Sequence, residues 1–324
     1  MLRRVFFAVL FAGAAVALSP AVYITDYDPV ADSGLVHDVT LVTSDIWPGL
    51  ADRKSYAGYI TANETADNNL FFWFFESENM DPDAPVLLWL TGGPGCSSML
   101  GSAMELGPYW VSTGEDGEPV VTHDDYTWNA NAHVLFIDQP AGAGYSYTGH
   151  DQYRRSEAEI VRDLYPALIS FFTYYPEYQS NDFWIAGESY GGHYVPSISK
   201  FIVDQNAEDP EITLNFKGCA IGDGLTDPVN QMDSTYSTFA YGFGLIDELA
   251  YLEVAKLEQQ TIAAIKDEDW VTTADLWGEL LEVIMVEAGY PDQYDVRTFH
   301  NYDLEIIETF FNAEDVREAL HAGN

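Results

Sequence analysis

The clearest pattern along the chain is a series of short apolar runs, each of which ends near a glycine or an aspartate. Four of these runs lie at 86–90, 134–137, 183–186 and 216–221, and Lys217 interrupts only the last. Continuous rather than alternating hydrophobicity is typical of strands that are buried on both faces of a parallel sheet. We therefore predict four interior strands in this part of the chain.

Two further strand-like runs precede these, at 56–61 and 70–75, and the polar, turn-rich segment 63–69 lies between them. This arrangement predicts a β-hairpin. Between the later runs, apolar residues recur every three or four positions at 156–172 and 192–204, as they do on the buried face of a helix. Because strands and helices alternate, the predicted fold class is α/β.

A helical pattern then extends from about 236 to 288, with leucines and tryptophans at helical spacing. No glycine-rich linker separates it from the preceding strands, and we interpret it as a helical insertion or cap. The predicted organisation is a signal peptide at 1–17, an N-terminal extension at 18–45, a core at 46–229 and a helical insertion or cap at 230–324. In this division the C-terminal part of the core is absent.

The charge balance limits the classes of partner. The 324 residues include 13 basic and 52 acidic side chains, which gives a net charge of −39. A field of this sign repels phosphate backbones and anionic headgroups, so we predict no nucleic-acid partner. The chain is nevertheless 47% hydrophobic, which supplies enough apolar surface to offset the entropy of ordering it. We expect it to fold.

The N-terminus is typical of a cleaved secretory signal. Two arginines precede an apolar run at 5–18, in which Ala15 and Ala17 form a small-residue cleavage pattern. The alternative, a membrane anchor, needs about 20 apolar residues, and this run is shorter. We expect no membrane association after cleavage, and a protein that is secreted or delivered to the lysosome or vacuole. The glycosylation sequon at Asn63 fits that route.

A candidate nucleophile lies between the third run and the helix that follows it. The sequence Gly187-Glu188-Ser189-Tyr190-Gly191 matches a nucleophile elbow, a sharp turn that exposes a serine hydroxyl. Flanking glycines suit this turn because the backbone passes close to neighbouring elements. The alternative is a serine in an ordinary strand-to-helix turn.

An acyl-transfer serine also needs donors for the oxyanion that develops in the transition state. The glycine-rich segment 91–95 follows the first run, at the place from which α/β-hydrolases draw one of these donors. Glycines there let backbone N–H groups approach a carbonyl oxygen without obstruction. The alternative is a phosphate-cradling loop, but 95–98 contains no lysine and the protein is strongly anionic.

Several long motifs, taken in order, resemble the signatures of the serine carboxypeptidase family, most closely its vitellogenic-like branch. They are WLTGGPGCSS at 89–98, DQP at 138–140, GAGYS at 142–146, GESYGGHYVP at 187–196 and GDGLTDP at 222–228. The likeness covers the chain from about residue 46 onward. It implies an α/β-hydrolase fold, in which helices cover both faces of a mostly parallel sheet. It also implies a peptidase with no metal or cofactor.

The resemblance implies a role for the elbow and the loop. Ser189 is the expected nucleophile, and the N–H groups of Gly93 and Tyr190 are the expected oxyanion hole. The expected reaction releases C-terminal residues from peptides and proteins with a free C-terminus, through an acyl-enzyme on Ser189.

Four further residues are implied in binding the substrate's C-terminal carboxylate: Glu188, Glu105, Trp89 and Thr91. Two carboxyl groups hold a third only when they share protons, because bare anions at hydrogen-bonding distance repel each other. We therefore expect an acid pH optimum in the complete protein. The alternative for Glu105 is a solvated helix residue. Thr91 departs from the family, which has asparagine or glutamine there, and its single donor implies weaker or water-mediated binding.

The acid and the base of a catalytic triad are not found in this chain. In α/β-hydrolases both follow the serine, acid first, and the family places them beyond its last motif here. His193, His300 and His321 follow Ser189, and none is expected to be the base. Asp223, which replaces the family's usual asparagine, is a minor alternative for the acid.

We interpret the sequence as C-terminally incomplete rather than as a naturally short, inactive homologue. The run 216–221 is expected to be interior, yet no later segment resembles a parallel neighbour. Cys96 also resembles a family cysteine whose partner lies further along. Two alternatives remain for function: a catalytically inactive binding protein, and an acyltransferase on the same scaffold. The oligomeric state is not predicted.

Overall fold

The structure is a computed structural model that describes residues 19–50, 53–289, 294–297 and 303–323. The predicted signal at 1–17 and His300 lie outside these residues. The strands are β1 (Ser55–Asn63), β2 (Asn68–Phe75), β3 (Val86–Leu90), β4 (Tyr109–Thr113), β5 (Pro119–His123), β6 (His133–Ile137), β7 (Tyr147–Thr148), β8 (Phe183–Glu188) and β9 (Phe216–Gly222). The helices are α1 (Ser33–Thr40), α2 (Met99–Met104), α3 (Glu157–Tyr174), α4 (Gly191–Ala207), α5 (Pro228–Gln231), α6 (Thr235–Gly242), α7 (Glu248–Lys266), α8 (Trp270–Ala288), α9 (Leu304–Asn312) and α10 (Glu314–Ala319).

The main sheet has the strand order β1-β2-β6-β3-β8-β9, and β7 pairs with β2. β1 and β2 pair antiparallel, which confirms the predicted hairpin. β6, β3, β8 and β9 run parallel to one another, because each is reached through a crossover rather than a tight turn. The α/β class and the mostly parallel sheet are as predicted.

Buried side chains cover both faces of this sheet, and β2 is buried at every position. Its alternate residues Phe72 and Phe74 face a core that includes residues of α3 and α4. Phe71 and Trp73 face a second core that includes residues of α9 and α10. Burial on both sides explains why the run has no polar alternation.

The structure corrects the prediction for β9. This strand pairs with β8, no other strand among the described residues pairs with its second edge, and Ile221 is 40% exposed. Among the described residues β9 is therefore an edge strand, and its predicted burial on both faces is not found there. A run of apolar residues reports hydrophobicity, whereas burial also requires neighbours on both edges and both faces.

Three structured segments were not predicted from the sequence. Helix α1 lies in the N-terminal extension, and β4 and β5 form a separate antiparallel hairpin. Residues 304–323, which the sequence pattern assigned to the helical insertion, cluster with the first unit instead. Ile307 and Phe311 of α9 are buried in the same core as Trp73, so the apolar face of that helix covers the sheet.

By internal contacts, the chain divides into one unit of Met1–Gly224 with Leu304–Asn324, and a second of Leu225–Asp303. The second unit is helical and has its own core, which includes Val254, Leu257 and Leu280. Asp247 caps α7 by accepting the N–H groups of Leu249 and Ala250. Within the described residues, no helix has the length and apolar composition needed to cross a membrane.

Candidate active site

Ser189 occupies a strained turn between β8 and α4. Its φ of 53° lies in the left-handed region, and its N–H donates to the Gly222 carbonyl at 3.1 Å, which fixes the turn to β9. The preceding Gly187 has no room for a side chain, because a methyl group there would lie 2.5 Å from the Leu90 carbonyl oxygen. The side chain of Ser189 is exposed to solvent. The turn therefore presents a hydroxyl at the carboxyl end of the sheet.

The glycine-rich loop after β3 lies directly against this turn. A methyl group on Gly92 would lie 2.4 Å from the Tyr190 nitrogen, so glycine is required for the close approach. The loop is closed by a bond from the Cys96 N–H to the Gly92 carbonyl, 3.2 Å, and is attached to α4 by a bond from the Gly95 N–H to the Tyr194 hydroxyl, 3.1 Å. The structure thus brings the segment of Gly93 next to the N-terminus of α4.

Cys96 lies in this loop but is not a competing nucleophile. Burial raises the pKa of its thiol to about 11, and the charges of Glu188 and Glu105 act in the same direction. A thiol with a raised pKa stays protonated and unreactive. Cys96 and Cys219 form no disulfide with each other.

Glu105 and Glu188, the two carboxyl groups that the family resemblance implies, lie together, and their side chains are hydrogen-bonded to each other. Burial and then the charge of Glu188 raise the pKa of Glu105. Burial also raises the pKa of Glu188. The hydrogen bond with Glu105 lowers this pKa, and the charge of Asp223 raises it further. Many protein atoms surround the Glu105 carboxyl group, yet the residue keeps part of its surface open to solvent. We call the partly open surface around Glu105 and Glu188 the recess. The pair holds a proton at a pH where isolated carboxyl groups have lost theirs.

Trp89 and Thr91 are brought to the same recess. The Trp89 indole N–H donates to the Thr91 hydroxyl at 3.0 Å, and the Thr91 N–H donates to the Ser98 hydroxyl at 3.3 Å. Gly101 allows this packing, because a methyl group there would lie 2.3 Å from the indole nitrogen and 3.0 Å from a Glu105 oxygen. The indole N–H is thus already engaged, while the threonine hydroxyl keeps its own proton to donate.

A cavity of about 280 Å³ opens beside these groups. The residues that line it include Trp89, Trp128, Glu188, Ile221 and Asp223. Its walls combine two aromatic rings with two carboxyl groups, a mixture suited to a small organic ligand that has both apolar and polar parts.

The histidines and Asp223 were weak candidates for the triad. The ring of His193 lies 4.6 Å from that of Tyr190, centroid to centroid, and burial lowers its pKa. The ring of His321 is bonded to the Leu41 carbonyl at 3.2 Å. In the described part of the chain, no histidine is hydrogen-bonded to Ser189. Asp223 lies in the cavity wall, where its charge acts on Glu188.

Sequence reasoning missed three residues of this region: Trp128, Tyr194 and Asp138. Trp128 packs edge-to-face on Trp89 with ring centroids 5.7 Å apart, and Asp138 is a fully buried carboxylate. Asp138 and Tyr194 stood inside quoted motifs, but a motif does not state which atoms its members contact. Among the described residues, no group of three or more histidine, cysteine, aspartate or glutamate side chains is placed to hold a metal ion.

The sheet, the strained serine turn and the loop packed on it define the class of protein as an α/β-hydrolase. The crystal structure of a prohormone-processing carboxypeptidase from Saccharomyces cerevisiae has the same fold, with a TM-score of 0.72, 24% identity, and coverage of 88% of this chain and 68% of that chain.

Residues 48–324 match the family model for serine carboxypeptidase, and the chain belongs to that family. A venom serine carboxypeptidase from Apis mellifera is 40% identical over 282 residues, which is 84% of this chain and 59% of that protein. A probable serine carboxypeptidase, CPVL, from Rattus norvegicus is 40% identical over 289 residues, 86% of this chain and 59% of that protein. The predicted vitellogenic-like relationship is confirmed. The chain spans about three fifths of the length of these relatives.

Proposed function

We propose that this protein is a serine-type carboxypeptidase that releases C-terminal residues from peptides through an acyl-enzyme on Ser189. The observation that carries the proposal is the contact between the elbow and the glycine-rich loop, in which Gly92 lies against the Tyr190 amide. In the proposed reaction the Ser189 hydroxyl attacks the last peptide carbonyl. The N–H groups of Gly93 and Tyr190 then bind the oxyanion. As the peptide C–N bond breaks, a base passes the serine proton to the leaving amino acid, and water then hydrolyses the acyl-enzyme to restore Ser189.

The proposed binding site for the substrate's C-terminal carboxylate is the recess at Glu105 and Glu188. Both carboxyl groups have raised pKa values and share a hydrogen bond, so the pair carries a proton that it can donate to a third carboxylate. Thr91 supplies a second donor, while Trp89 holds the threonine hydroxyl in place. Burial and then the charge of Glu188 raise the pKa of Glu105 to about 9, so Glu105 keeps its proton at neutral pH. We propose an acid pH optimum because Glu188 must be protonated as well, and burial raises its pKa from an ordinary value of only 4.5.

The proposed reaction also needs a histidine base and an orienting acid. No histidine or acid of residues 1–324 is assigned these roles by the motifs, and the curated relatives are longer than this chain. The activity is therefore proposed for the protein that supplies these two groups.

The proposed compartment follows from the leader-like N-terminus and the proposed acid optimum. A secreted, lysosomal or vacuolar protein meets peptide substrates at low pH, where part of the charge of −39 is neutralised. Asn63, the proposed glycan site, lies at the end of β1. The proposed partners are peptides and proteins with a free C-terminus.

A second candidate is a binding protein that recognises C-terminal carboxylates without turnover. It is favoured by the hydrogen bond from the Trp89 indole N–H to the Thr91 hydroxyl, because this bond engages the indole donor inside the protein rather than with a substrate.

The test uses the protein that supplies the histidine base and the acid, and measures release of a free amino acid from an N-blocked dipeptide at about pH 5, near the upper end of the carboxyl range. Ser189→Ala should abolish release, and Ser180→Ala, which changes an exposed serine, should leave it unchanged. Equal release by wild type and Ser189→Ala would overturn the proposal. Saturable dipeptide binding without release in either protein would support the second candidate.

A further inference from the structure

Asp138 is a buried carboxylate to which the proposed chemistry assigns no part. It follows β6 directly, and none of its surface is exposed. One carboxylate oxygen accepts the Ser97 hydroxyl at 2.6 Å and the Ser98 N–H at 2.8 Å. The other accepts the Tyr145 N–H at 2.8 Å. A buried carboxylate is costly unless it is hydrogen-bonded in this way.

The Ser97 and Ser98 contacts join Asp138 to the end of the glycine-rich loop. Ser98 also receives the Thr91 N–H on its hydroxyl, at 3.3 Å, and Thr91 is the residue at the start of that loop. Both ends of the loop therefore meet at Ser98, and the Ser98 N–H is bound by Asp138. Gly93 lies between these two ends.

The second carboxylate oxygen is enclosed by the segment 142–146. A methyl group on Gly144, which has a φ of 52°, would lie 2.0 Å from this oxygen and 2.6 Å from the Ser97 hydroxyl oxygen. The Ser146 hydroxyl donates to the backbone carbonyl of Asp138 itself, at 2.6 Å. Asp138 is thus held in place by one loop while it binds the other.

We propose that Asp138 is a positioning residue: its carboxylate fixes the loop 92–98 and so holds the Gly93 N–H where an oxyanion at Ser189 would form. This inference rests on the proposed function. The three contacts need an acceptor on each oxygen of one buried group, which the ionised carboxylate supplies. Burial raises the pKa of Asp138 to about 6, against the bonds from Ser97, Tyr145 and Ser98 that lower it, so both comparisons below are made at about pH 7. Its bonds to N–H groups are charge-assisted and stronger than neutral ones.

Asp138→Asn tests the inference because it preserves size and removes an acceptor. The amide has one oxygen, so its NH₂ group must face one of the three donors and leave it unpaired. The matched control is Glu258→Gln in the helical unit. Glu258 is also a buried carboxylate, and it also accepts a serine hydroxyl, at 2.6 Å, and a backbone N–H, at 2.9 Å, both from Ser237.

The first measurement is amide hydrogen exchange, which does not depend on activity. Asp138→Asn should speed exchange in a peptide covering 91–98 by about tenfold or more, while a peptide from β8 keeps its wild-type rate. Glu258→Gln should leave 91–98 unchanged. Unchanged exchange of 91–98 in Asp138→Asn would overturn the inference.

The second measurement is turnover of the blocked dipeptide, with kcat and KM determined separately. A loosened oxyanion donor should lower kcat about 10- to 100-fold and leave KM nearly unchanged, because the donor acts on the transition state. A loss confined to KM, or an equal loss in Glu258→Gln, would contradict a positioning role. If the wild type that includes the histidine base and the acid has no turnover, the proposed function fails, and the exchange comparison alone decides whether Asp138 fixes the loop.

Ser97→Ala covers the case in which Asp138→Asn does not fold. It removes a single donor and leaves the carboxylate and its two backbone bonds intact. We expect faster exchange of 91–98 and a smaller loss of kcat than for Asp138→Asn. Wild-type values for both would overturn the inference.

Discussion

The carboxyl groups of Glu105 and Glu188 are hydrogen-bonded to each other, and burial raises the pKa of each. Glu105 follows α2 and Glu188 ends β8, so the loop and the sheet bring together two groups that repel each other when both are ionised. Such a pair is stable when it holds a proton. In the proposed function, a substrate carboxylate that enters the recess uses the same proton.

The first prediction concerns the pH dependence of binding. KM for a peptide with a free C-terminus should rise between about pH 5 and pH 8, because Glu188, whose pKa burial raises from its ordinary value of 4.5, loses its proton as pH increases. Burial and then the charge of Glu188 raise the pKa of Glu105 to about 9, so Glu105 keeps its proton across this range. A C-terminal amide lacks the carboxylate, and its KM should be nearly constant. Glu188→Gln removes the group that loses its proton and should flatten the profile, whereas Glu115→Gln, at an exposed turn, should retain it. A KM that falls steadily toward pH 8 would refute this role for the pair.

The second prediction concerns stability in acid. The His37 ring contacts Glu177 at 2.6 Å; this bond raises the pKa of His37, and it lowers that of Glu177 against the effect of burial. The histidine contribution is complete below its ordinary value of 6.5 and is lost as pH rises through the raised value. The glutamate contribution is present above its ordinary value of 4.5 and is lost as pH falls through the lowered value.

His37→Gln should therefore lower the free energy of unfolding most at about pH 5 to 6, by about 1 kcal/mol or less because the pair is partly exposed. Urea unfolding at several pH values measures this difference. His150→Gln, at an exposed position, is the control and should show no such maximum. A deficit that grows toward pH 9 would contradict the sign derived above.

The third prediction concerns the ion pair between Arg154, which precedes α3, and Asp163 within α3. Asp163 is buried and accepts two bonds from the Arg154 guanidinium, at 2.5 and 2.7 Å, and one from Asn68 at 2.7 Å. Arg154→Ala leaves this carboxylate without its cation and should destabilise the first unit by about 3–5 kcal/mol. The neighbouring exposed Arg155 provides the control, since Arg155→Ala should cost far less. Equal midpoints in chemical denaturation would show that the pair contributes nothing.

The fourth prediction concerns the helical unit. Glu258 of α7 accepts both the N–H and the hydroxyl of Ser237 in α6, and it is 1% exposed. Glu258→Ala leaves two buried donors unpaired and should lower the stability of this unit by about 2–4 kcal/mol. The exposed Glu253 on the same helix is the control. Exchange of peptides from α6 is the readout, and an unchanged rate in Glu258→Ala would exclude the contact as a stabilising one.

Local features of the fold were predictable from the sequence, and contacts between distant segments were not. The hairpin of β1 and β2 and the elbow at Ser189 depend on neighbouring residues, so turn chemistry and hydrophobic period reveal them. The edge position of β9 depends on which strands pair with it. A hydrophobic run contains no information about that.

The candidate site shows the same limit. The family resemblance identified four residues of the site, and the structure brings them to one recess: Glu105, Glu188, Trp89 and Thr91. The bond between the Trp89 indole and Thr91 follows from how Gly101 lets the ring pack, and no spacing rule predicts it. The three bonds to Asp138 likewise join segments that are far apart along the chain.

The most direct test of the account is the reaction of Ser189 with an organophosphonate, followed by mass spectrometry of the digested protein. We predict a single adduct on the peptide that contains Ser189, and none in the Ser189→Ala variant. An unmodified Ser189 in a protein that still releases C-terminal residues, or an adduct that persists in Ser189→Ala, would contradict the account.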